Sequence, residues 1–283
     1  MTTPAGTIGL SANSNYWIFG GTTGTALNTI QKYTGSVRTT EVSTLASAAA
    51  GLSTTRLGGA IFIFSGTTIQ RWNGIARTTD GATLAFTAPA QSSASISSLN
   101  AIFVLASTIQ KYDGTTRTSM ASTYSQASQS VSDGNSSITA MGTTSLAVGG
   151  SLTNYDGTTV SSITAGSYPT RTNNCGANNT SFGGQINSKL GVVFSGEIVG
   201  FTPTAATLLA EGGYGLSHAS AASISSTSKV FGGYYSSTAI GQGAYGYSGS
   251  VLTAAIRNWD GGTISTDSAT LAVAMNQSAA ASL

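Results

Sequence analysis

Charge is what this chain has least of. Only 7% of its 283 residues are Asp, Glu, Lys or Arg, against about 25% in an ordinary soluble protein. The formal net charge is +2 and no cluster of Lys and Arg occurs. Nucleic-acid recognition needs a basic stripe to neutralise phosphates, so no nucleic-acid partner is expected. A single cysteine, Cys175, excludes an intramolecular disulfide. A single histidine, His218, leaves no paired Cys/His spacing of the zinc type. The longest apolar runs, Ala60 to Phe64 and Ala101 to Ala106, are far too short to cross a bilayer as helices. The start of the chain lacks a basic stretch followed by an apolar run, so no conventional signal peptide and no membrane insertion are expected.

Low charge does not mean disorder here. Hydrophobic residues make up 40% of the chain, whereas disordered chains combine low hydrophobicity with high charge. Glycine is abundant, at 36 residues, and Ser, Thr and Ala dominate the rest. Ser, Thr and Gly are poor helix formers, while Thr, Val, Ile, Phe and Tyr suit strands. The chain reads as all-β.

Internal repetition organises it. Six apolar segments end in small residues: Ile18-Phe19-Gly20-Gly21, Ile63-Phe64-Ser65-Gly66, Val104-Leu105-Ala106-Ser107, Ala147-Val148-Gly149-Gly150, Val193-Phe194-Ser195-Gly196 and Val230-Phe231-Gly232-Gly233. Their starts lie 37 to 46 residues apart. Each is followed by an aromatic residue and a turn: Tyr33-Thr34-Gly35, Trp72-Asn73-Gly74, Tyr112-Asp113-Gly114, Tyr155-Asp156-Gly157, Phe201-Thr202-Pro203 and Trp259-Asp260-Gly261. Asn-Gly and Asp-Gly supply the positive φ of two-residue hairpin turns. Three units share Ile-Gln-Lys/Arg-aromatic, at Ile30 to Tyr33, Ile69 to Trp72 and Ile109 to Tyr112, with an arginine three residues past the turn glycine at Arg38, Arg77 and Arg117.

Each unit reads as four strands: an inner strand, an apolar strand, a strand ending in the aromatic, and a polar Thr/Ser-rich strand. The apolar strand shows no polar alternation, as in Ala60-Ile61-Phe62-Ile63-Phe64, and continuous apolarity means burial on both faces. Small residues at its end permit close backbone approach. Four-stranded units of about 40 to 50 residues repeated four to eight times define a propeller. The expectation is one six-bladed β-propeller over residues 1–283, with repeats near 7–43, 51–83, 94–120, 136–165, 182–210 and 218–268. Thr7 to Ser14 are candidates for the inner strand of the first blade. Residues 270–283 mimic the segment beginning Thr44-Leu45-Ala46 and are expected to close the ring on that blade.

The small pair after an apolar strand, with an aromatic about a dozen residues later, resembles the kelch repeat. It departs from that pattern in lacking a consistent second tryptophan, and the glycine pair is intact in three of six units. The Tyr-Asp-Gly-Thr-Thr turns at Tyr112 to Thr116 and Tyr155 to Thr159 resemble Ser/Thr/Gly-rich kelch-like arrays of bacteriophage virion proteins. Pro4-Ala5-Gly6-Thr7-Ile8-Gly9-Leu10-Ser11 is similar to the start of many phage tail proteins. The resemblance implies a virion or extracellular-surface location, other virion proteins as partners in a larger assembly, and a host-surface glycan or protein as ligand. It implies no cofactor. Copper-dependent kelch oxidases use two histidines and a cross-linked Cys–Tyr pair, which one histidine does not supply. Sialidase-type propellers carry Ser-x-Asp-x-Gly-x-Thr-Trp turns, and none is present.

The residues themselves argue against catalysis. Ser217 is next to His218, but neighbours in a strand point to opposite faces, so the pair is a poor start for a triad. Gly215-Leu216-Ser217-His218-Ala219 half-matches a nucleophile elbow without the α/β pattern around it. Turn chemistry accounts for Asp113, Asp156 and Asp260 without calcium. Gly20-Gly21-Thr22-Thr23-Gly24 lacks the lysine of a phosphate loop. Arg38, Arg77 and Arg117 read either as a ligand-binding ring or as rim residues covering aromatic surface with their stems.

One feature breaks the repeat. Twenty-five residues separate Gly233 from Trp259, where eleven separate Gly21 from Tyr33. The excess holds Tyr234, Tyr235, Tyr245 and Tyr247 among glycines. Insertions in repeat proteins map to loops on one face, often the binding face, and tyrosines offer contact area at low entropy cost. These four are the candidate ligand-binding residues. The expected function is non-enzymatic: a tail-fibre, tail-tip or capsid-decoration propeller. A purely structural assembly module and a hydrolase or lyase propeller are the alternatives. An intracellular kelch adaptor is disfavoured because the repeats fill the chain.

Overall fold

The computed structural model describes residues 15–85, 92–105, 109–119, 138–141, 145–148, 153–162, 164–165, 191–194, 197–201, 205–211, 220–224, 227–231, 234–235, 251–259, 263–275 and 279–283. They form six four-stranded sheets and one two-stranded sheet. Blade 1 contains β1 (Tyr16–Phe19), β2 (Ile30–Tyr33) and β3 (Arg38–Thr40). Blade 2 is β4 (Ser53–Leu57), β5 (Ala60–Ser65), β6 (Thr68–Trp72) and β7 (Arg77–Thr83). Blade 3 is β8 (Ser92–Ile96), β9 (Ala101–Leu105), β10 (Ile109–Tyr112) and β11 (Arg117–Ser119). Blade 4 is β12 (Ile138–Met141), β13 (Ser145–Val148), β14 (Thr153–Tyr155) and β15 (Val160–Ser162). Blade 5 is β16 (Thr164–Ala165), β17 (Gly191–Phe194), β18 (Glu197–Phe201) and β19 (Ala205–Glu211). Blade 6 is β20 (Ser220–Ile224), β21 (Thr227–Phe231), β24 (Ala255–Trp259) and β25 (Ile264–Thr270), interrupted by the pair β22 (Tyr234–Tyr235) and β23 (Val251–Leu252). The last strand, β26 (Ala279–Ser282), completes blade 1.

This is a six-bladed β-propeller with kelch-like blades. The inner strands β26, β4, β8, β12 and β17 neighbour one another in turn, and β20 neighbours β26. The edge of β1 not used by β2 is occupied by β26, in the register Tyr16↔Ser282 to Phe19↔Ala279. The inner strand of blade 1 is therefore C-terminal, not Thr7 to Ser14, which lie outside the described residues. One strand edge accepts one partner, and β26 already supplies its hydrogen bonds. Thr54 Oγ1 donates to the Ala280 carbonyl at 2.9 Å, tying this seam strand to blade 2.

Blade 5 departs from the expected order. Its sheet runs β17-β18-β19-β16, so the apolar Val193-Phe194 strand stands at the inner edge rather than second. Its outer edge is covered by β16, running parallel to β19 through Thr164↔Ala205 and Ala165↔Ala206. The two residues of β16 fall inside the fourth repeat of the sequence yet serve the fifth blade. Backbone groups on the outer edge of β19 need partners, and the chain leaving blade 4 supplies them.

The core is divided into slabs between blades, which explains the uninterrupted apolar strands. Trp17 and Phe19 of β1 pack with Ile61, Ile63 and Trp72 of blade 2. Tyr16 and Ile18, on the other face of the same strand, pack with Phe231 and Ile256 of blade 6. Phe62 and Phe64 of β5 repeat the arrangement against Ile102 and Tyr112 of blade 3. Each fully buried large side chain contributes roughly 1.5–3 kcal/mol, so strands buried on two faces supply most of the stabilisation.

The aromatic turns are four-residue hairpin loops, not two-residue turns. Tyr33 pairs with Arg38, Trp72 with Arg77, Tyr112 with Arg117 and Tyr155 with Val160. The second loop residue, Gly35, Gly74, Gly114 or Gly157, has φ between 93° and 100°, a conformation that costs glycine least. The first residue acts through its side chain: Asp113 Oδ1 accepts from the amides of Thr115 at 2.9 Å and Thr116 at 2.7 Å. Asn73 and Asp156 do the same. The Thr116 and Thr115 amides hold the Asp113 carboxyl below its ordinary range.

The connectors between blades follow one plan. Leu45, Leu84 and Leu271 are buried, and each donates its amide at 2.8 Å to a loop carbonyl of its own blade, Asn28, Thr67 or Ala254. The next residue donates forward into the following blade. Ala46 reaches Gln70 Oε1 at 2.9 Å, Ala85 reaches Gln110 Oε1 at 2.7 Å and Ala272 reaches Gln31 Oε1 at 2.9 Å. The preceding carbonyl accepts from arginine: Thr44 from Arg77 Nε at 2.7 Å and Thr270 from Arg38 Nε at 3.2 Å. The glutamines thus fasten blades 1, 2 and 3 to the connector before them, joined by arginine in blades 1 and 2. Gly20 shows how tight this region is. A Cβ there would meet Leu52 Cδ1 at 2.5 Å and the Ala49 carbonyl at 2.6 Å, at a φ of +55°.

Gln70→Ala leaves the Ala46 amide without its acceptor, and we expect a loss of about 1–3 kcal/mol of unfolding free energy. Urea denaturation measures it, and a loss under about 0.5 kcal/mol, the size of an ordinary surface change, contradicts the fastening role.

Candidate functional site

The insertion of blade 6 begins where β21 ends. Tyr234 and Tyr235 form β22 and pair with Leu252 and Val251 of β23. The two short strands flank residues 236–250, which lie outside the described residues. Tyr245 and Tyr247 lie outside the described residues, as do His218, Cys175 and Asp260. The base is braced by the connector that closes the ring: Leu271 donates to the Ala254 carbonyl at 2.8 Å and Met275 to the Thr253 carbonyl at 3.4 Å. Leu271 and Met275 are themselves buried with Tyr16, Tyr33 and Phe231. The insertion is therefore rooted on the end of the molecule that carries the blade-to-blade connectors.

Beside it, at the junction of blades 6 and 1, lies a buried polar cluster that the sequence reading missed. Lys229 on β21 and Asp267 on β25 form an ion pair at 2.9 Å, with side chains 10% and 8% exposed. Lys229 Nζ also donates to Asn258 Oδ1, and Tyr33 donates its hydroxyl to Asp267 Oδ2. The ammonium lies 5.2 Å from the centre of the Tyr33 ring, within cation–π range. Burial pushes the Asp267 carboxyl up, but the bonds from Tyr33, Lys229 and the Ala269 amide outweigh it and bring the group down to about 2. Burial, and then the bond to Asp267, drive the Tyr33 hydroxyl well above its ordinary value, and burial pushes Tyr16 up to about 12.

The cluster is a variation on the repeat. In blade 2, Asp80 accepts from the Tyr112 hydroxyl of blade 3, as Asp267 does from Tyr33. Asp80 and Asp267 each follow the tryptophan of their blade by eight residues, at Trp72 and Trp259, a signal visible in the sequence. Lys229 is the difference. The equivalent strand position holds Trp17, Phe62 and Phe103 in blades 1 to 3, opposite Lys32, Arg71 and Lys111. Those aromatic rings pack on the next blade's aromatic, Trp17 on Trp72 at 5.0 Å, Phe62 on Tyr112 at 5.7 Å and Phe103 on Tyr155 at 5.4 Å.

The arginines do not form a ligand ring. Arg38 and Arg77 bond the connectors, and Arg38, Arg77 and Arg117 each donate Nη1 to a hydroxyl two residues on, Thr40, Thr79 or Ser119. Nor do these contacts fit a rim that only shelters aromatic surface. A guanidinium has five donors in a fixed fork, and connector carbonyls are acceptors in need of partners.

Comparison with known proteins gives the class through the fold. No family model matches the chain, and no curated protein does. Among solved structures it is similar to a fungal alcohol oxidase of the AA5 family solved in complex with copper, with a TM-score of 0.54 and 16% identity. The match covers 94% of this chain and 65% of that one. The likeness concerns the propeller. The sequence has one histidine, and among the described residues no three His, Cys, Asp or Glu side chains converge.

The Asp267 site makes stability pH-dependent. A carboxyl held at about 2 in the fold and at its ordinary 3.8 when unfolded contributes stability above pH 4 that is lost as pH falls toward 2. The raised tyrosines contribute below pH 10 and cease to as pH rises past it. Urea midpoints measured from pH 7 down to 2 should fall less steeply in Asp267→Asn than in the parent; identical slopes contradict the assignment.

Proposed function

We propose that this chain is a non-enzymatic propeller of a virion surface that binds a host-surface glycan or protein through the insertion of blade 6. The observation that carries the reading is the insertion itself. It adds a strand pair between β21 and β24, and the ring-closing connector braces the base of that pair. A loop on a rigid scaffold is the usual place for a binding surface. The tyrosines Tyr234, Tyr235, Tyr245 and Tyr247 are the ligand-binding candidates within it. The virion setting rests on the phage-like turn and N-terminal motifs of the sequence. The non-enzymatic reading is supported by the use of Asp80 and Tyr112 in a blade-to-blade bond.

A second reading, a structural assembly module, draws on the opposite end of the molecule. Val37 and Ile75 stand 57% and 81% exposed on the hairpin loops of blades 1 and 2, and Leu99 is 43% exposed on the β8–β9 loop. Apolar side chains on successive loops of one end suit stacking against another subunit.

The two readings separate in one experiment. The purified protein and a Tyr245→Ala/Tyr247→Ala variant are assayed against a panel of surface glycans and bacterial cells. The binding reading expects attachment by the parent and at least a tenfold loss in the variant, about 1.4 kcal/mol. Attachment to nothing, with self-association or docking to virion proteins instead, overturns it in favour of assembly.

A further inference from the structure

We propose that Lys229 and Asn258 join covalently: the lysine amine condenses with the asparagine side-chain amide, ammonia leaves, and an isopeptide bridge links β21 to β24, with Asp267 carrying the proton. This goes beyond the binding reading and does not depend on it.

The first observation is the residue type. The position of Lys229 is filled by aromatic rings in blades 1 to 3, and there the cation sits across the strand pair at Lys32, Arg71 or Lys111, part-exposed or exposed. In blade 6 the cation has moved to the buried side and an amide stands opposite it. A buried ion pair gains little over a packed hydrophobic residue, and the three aromatic versions show that this fold accepts one here. Stability alone does not account for a lysine.

The second observation is geometric. Lys229 and Asn258 are register partners, and Nζ is in direct contact with Oδ1 of the amide and 2.9 Å from Asp267 Oδ2. The carbonyl carbon lies about one C=O bond, 1.2 Å, beyond that oxygen. Nucleophile and carbonyl are thus held close to near-attack distance, which lowers the entropic part of the barrier. The Tyr33 ring and Asp267 wall the site on the blade 1 side. On the other side Asn258 Nδ2 points at Ser265 Oγ, 3.5 Å away and exposed, which gives the departing nitrogen a way out.

The step balances. Lys229 gives one proton to the Asp267 carboxylate and becomes a neutral nucleophile. Its nitrogen bonds to Cγ of Asn258, and the Cγ–Nδ2 bond breaks as Asp267 returns the proton to the leaving nitrogen. The attacking nitrogen sheds a second proton, so lysine ammonium plus asparagine amide become one secondary amide plus ammonium. No oxidant or other reactant enters. Joining first requires a proton to move within the ion pair at 2.9 Å, so it is slow. It needs to happen once per molecule.

Intact mass and tryptic mapping of the purified full chain test this. The expected result is a mass lower by one ammonia, together with a branched peptide in which residues 190–257, uncut at Lys229, are joined to the peptide beginning at Asn258. Full mass with ordinary cleavage at Lys229 overturns the proposal. So does an ammonia loss without the branched peptide, which marks succinimide formation elsewhere. Asp267→Asn should keep the full mass and Asp267→Glu, which restores a carboxyl, should convert. Conversion of the Asn variant at the parent rate overturns the role of Asp267.

Discussion

The ring depends on a bond between a side-chain amide and a connector. Gln31, Gln70 and Gln110 are buried on the third strands of their blades, and each carbonyl oxygen accepts the backbone N–H of an alanine leaving the blade before. A propeller has no backbone hydrogen-bond ladder from sheet to sheet. What positions one blade on the next is side-chain packing, which is weakly directional, and a few polar contacts that are directional. The glutamine, itself buried, supplies direction and gives its own carbonyl oxygen a donor. The leucine before that alanine closes the joint with apolar contact, and at Thr44 and Thr270 arginine caps the carbonyl before the leucine.

From that joint the rest follows. Blades set side by side leave slabs deep enough for tryptophan, tyrosine and phenylalanine from both sides, and β1 and β5 each feed two slabs at once. The ring then has to close without a blade of continuous chain. It does so by lending the last strand to the first blade and repeating the joint there, with Ala272 on Gln31 and Thr270 on Arg38. The closing junction is also where the polar cluster of Lys229, Asp267, Asn258 and Tyr33 sits, and where the connector braces the insertion. Closure and the base of the insertion draw on the same short connector.

Much of this was legible in the sequence. The apolar strands, the aromatic turns and the six-fold repetition carry fixed spacing, and continuous apolarity in Ala60 to Phe64 translates directly into burial on two faces. The sequence also displayed the glutamines and arginines at fixed places, but not their task, because their acceptors and donors are backbone groups of another blade and leave no mark on the sequence. Blade 5 escaped for a related reason: an edge strand such as β16 is two residues long and has no pattern of its own. Lys229 was visible as a lone charge before Val230-Phe231, and its partner Asp267 as a recurrence of Asp80 after a tryptophan. Joining the two required the register. Tyr234 and Tyr235 were singled out as ligand-binding candidates by the insertion that breaks the repeat and by its tyrosines, and the structure adds that they pair with Leu252 and Val251.

Amide hydrogen exchange on the native protein tests the joint most directly. If side-chain oxygens of Gln31, Gln70 and Gln110 hold the connectors, the amides of Ala272, Ala46 and Ala85 exchange as slowly as the central strands β2, β6 and β10, through global opening alone. Exchange of these three amides at the rate of the exposed hairpin loops would contradict the account, because the blades would then be held by packing without the bonds that give the ring its spacing.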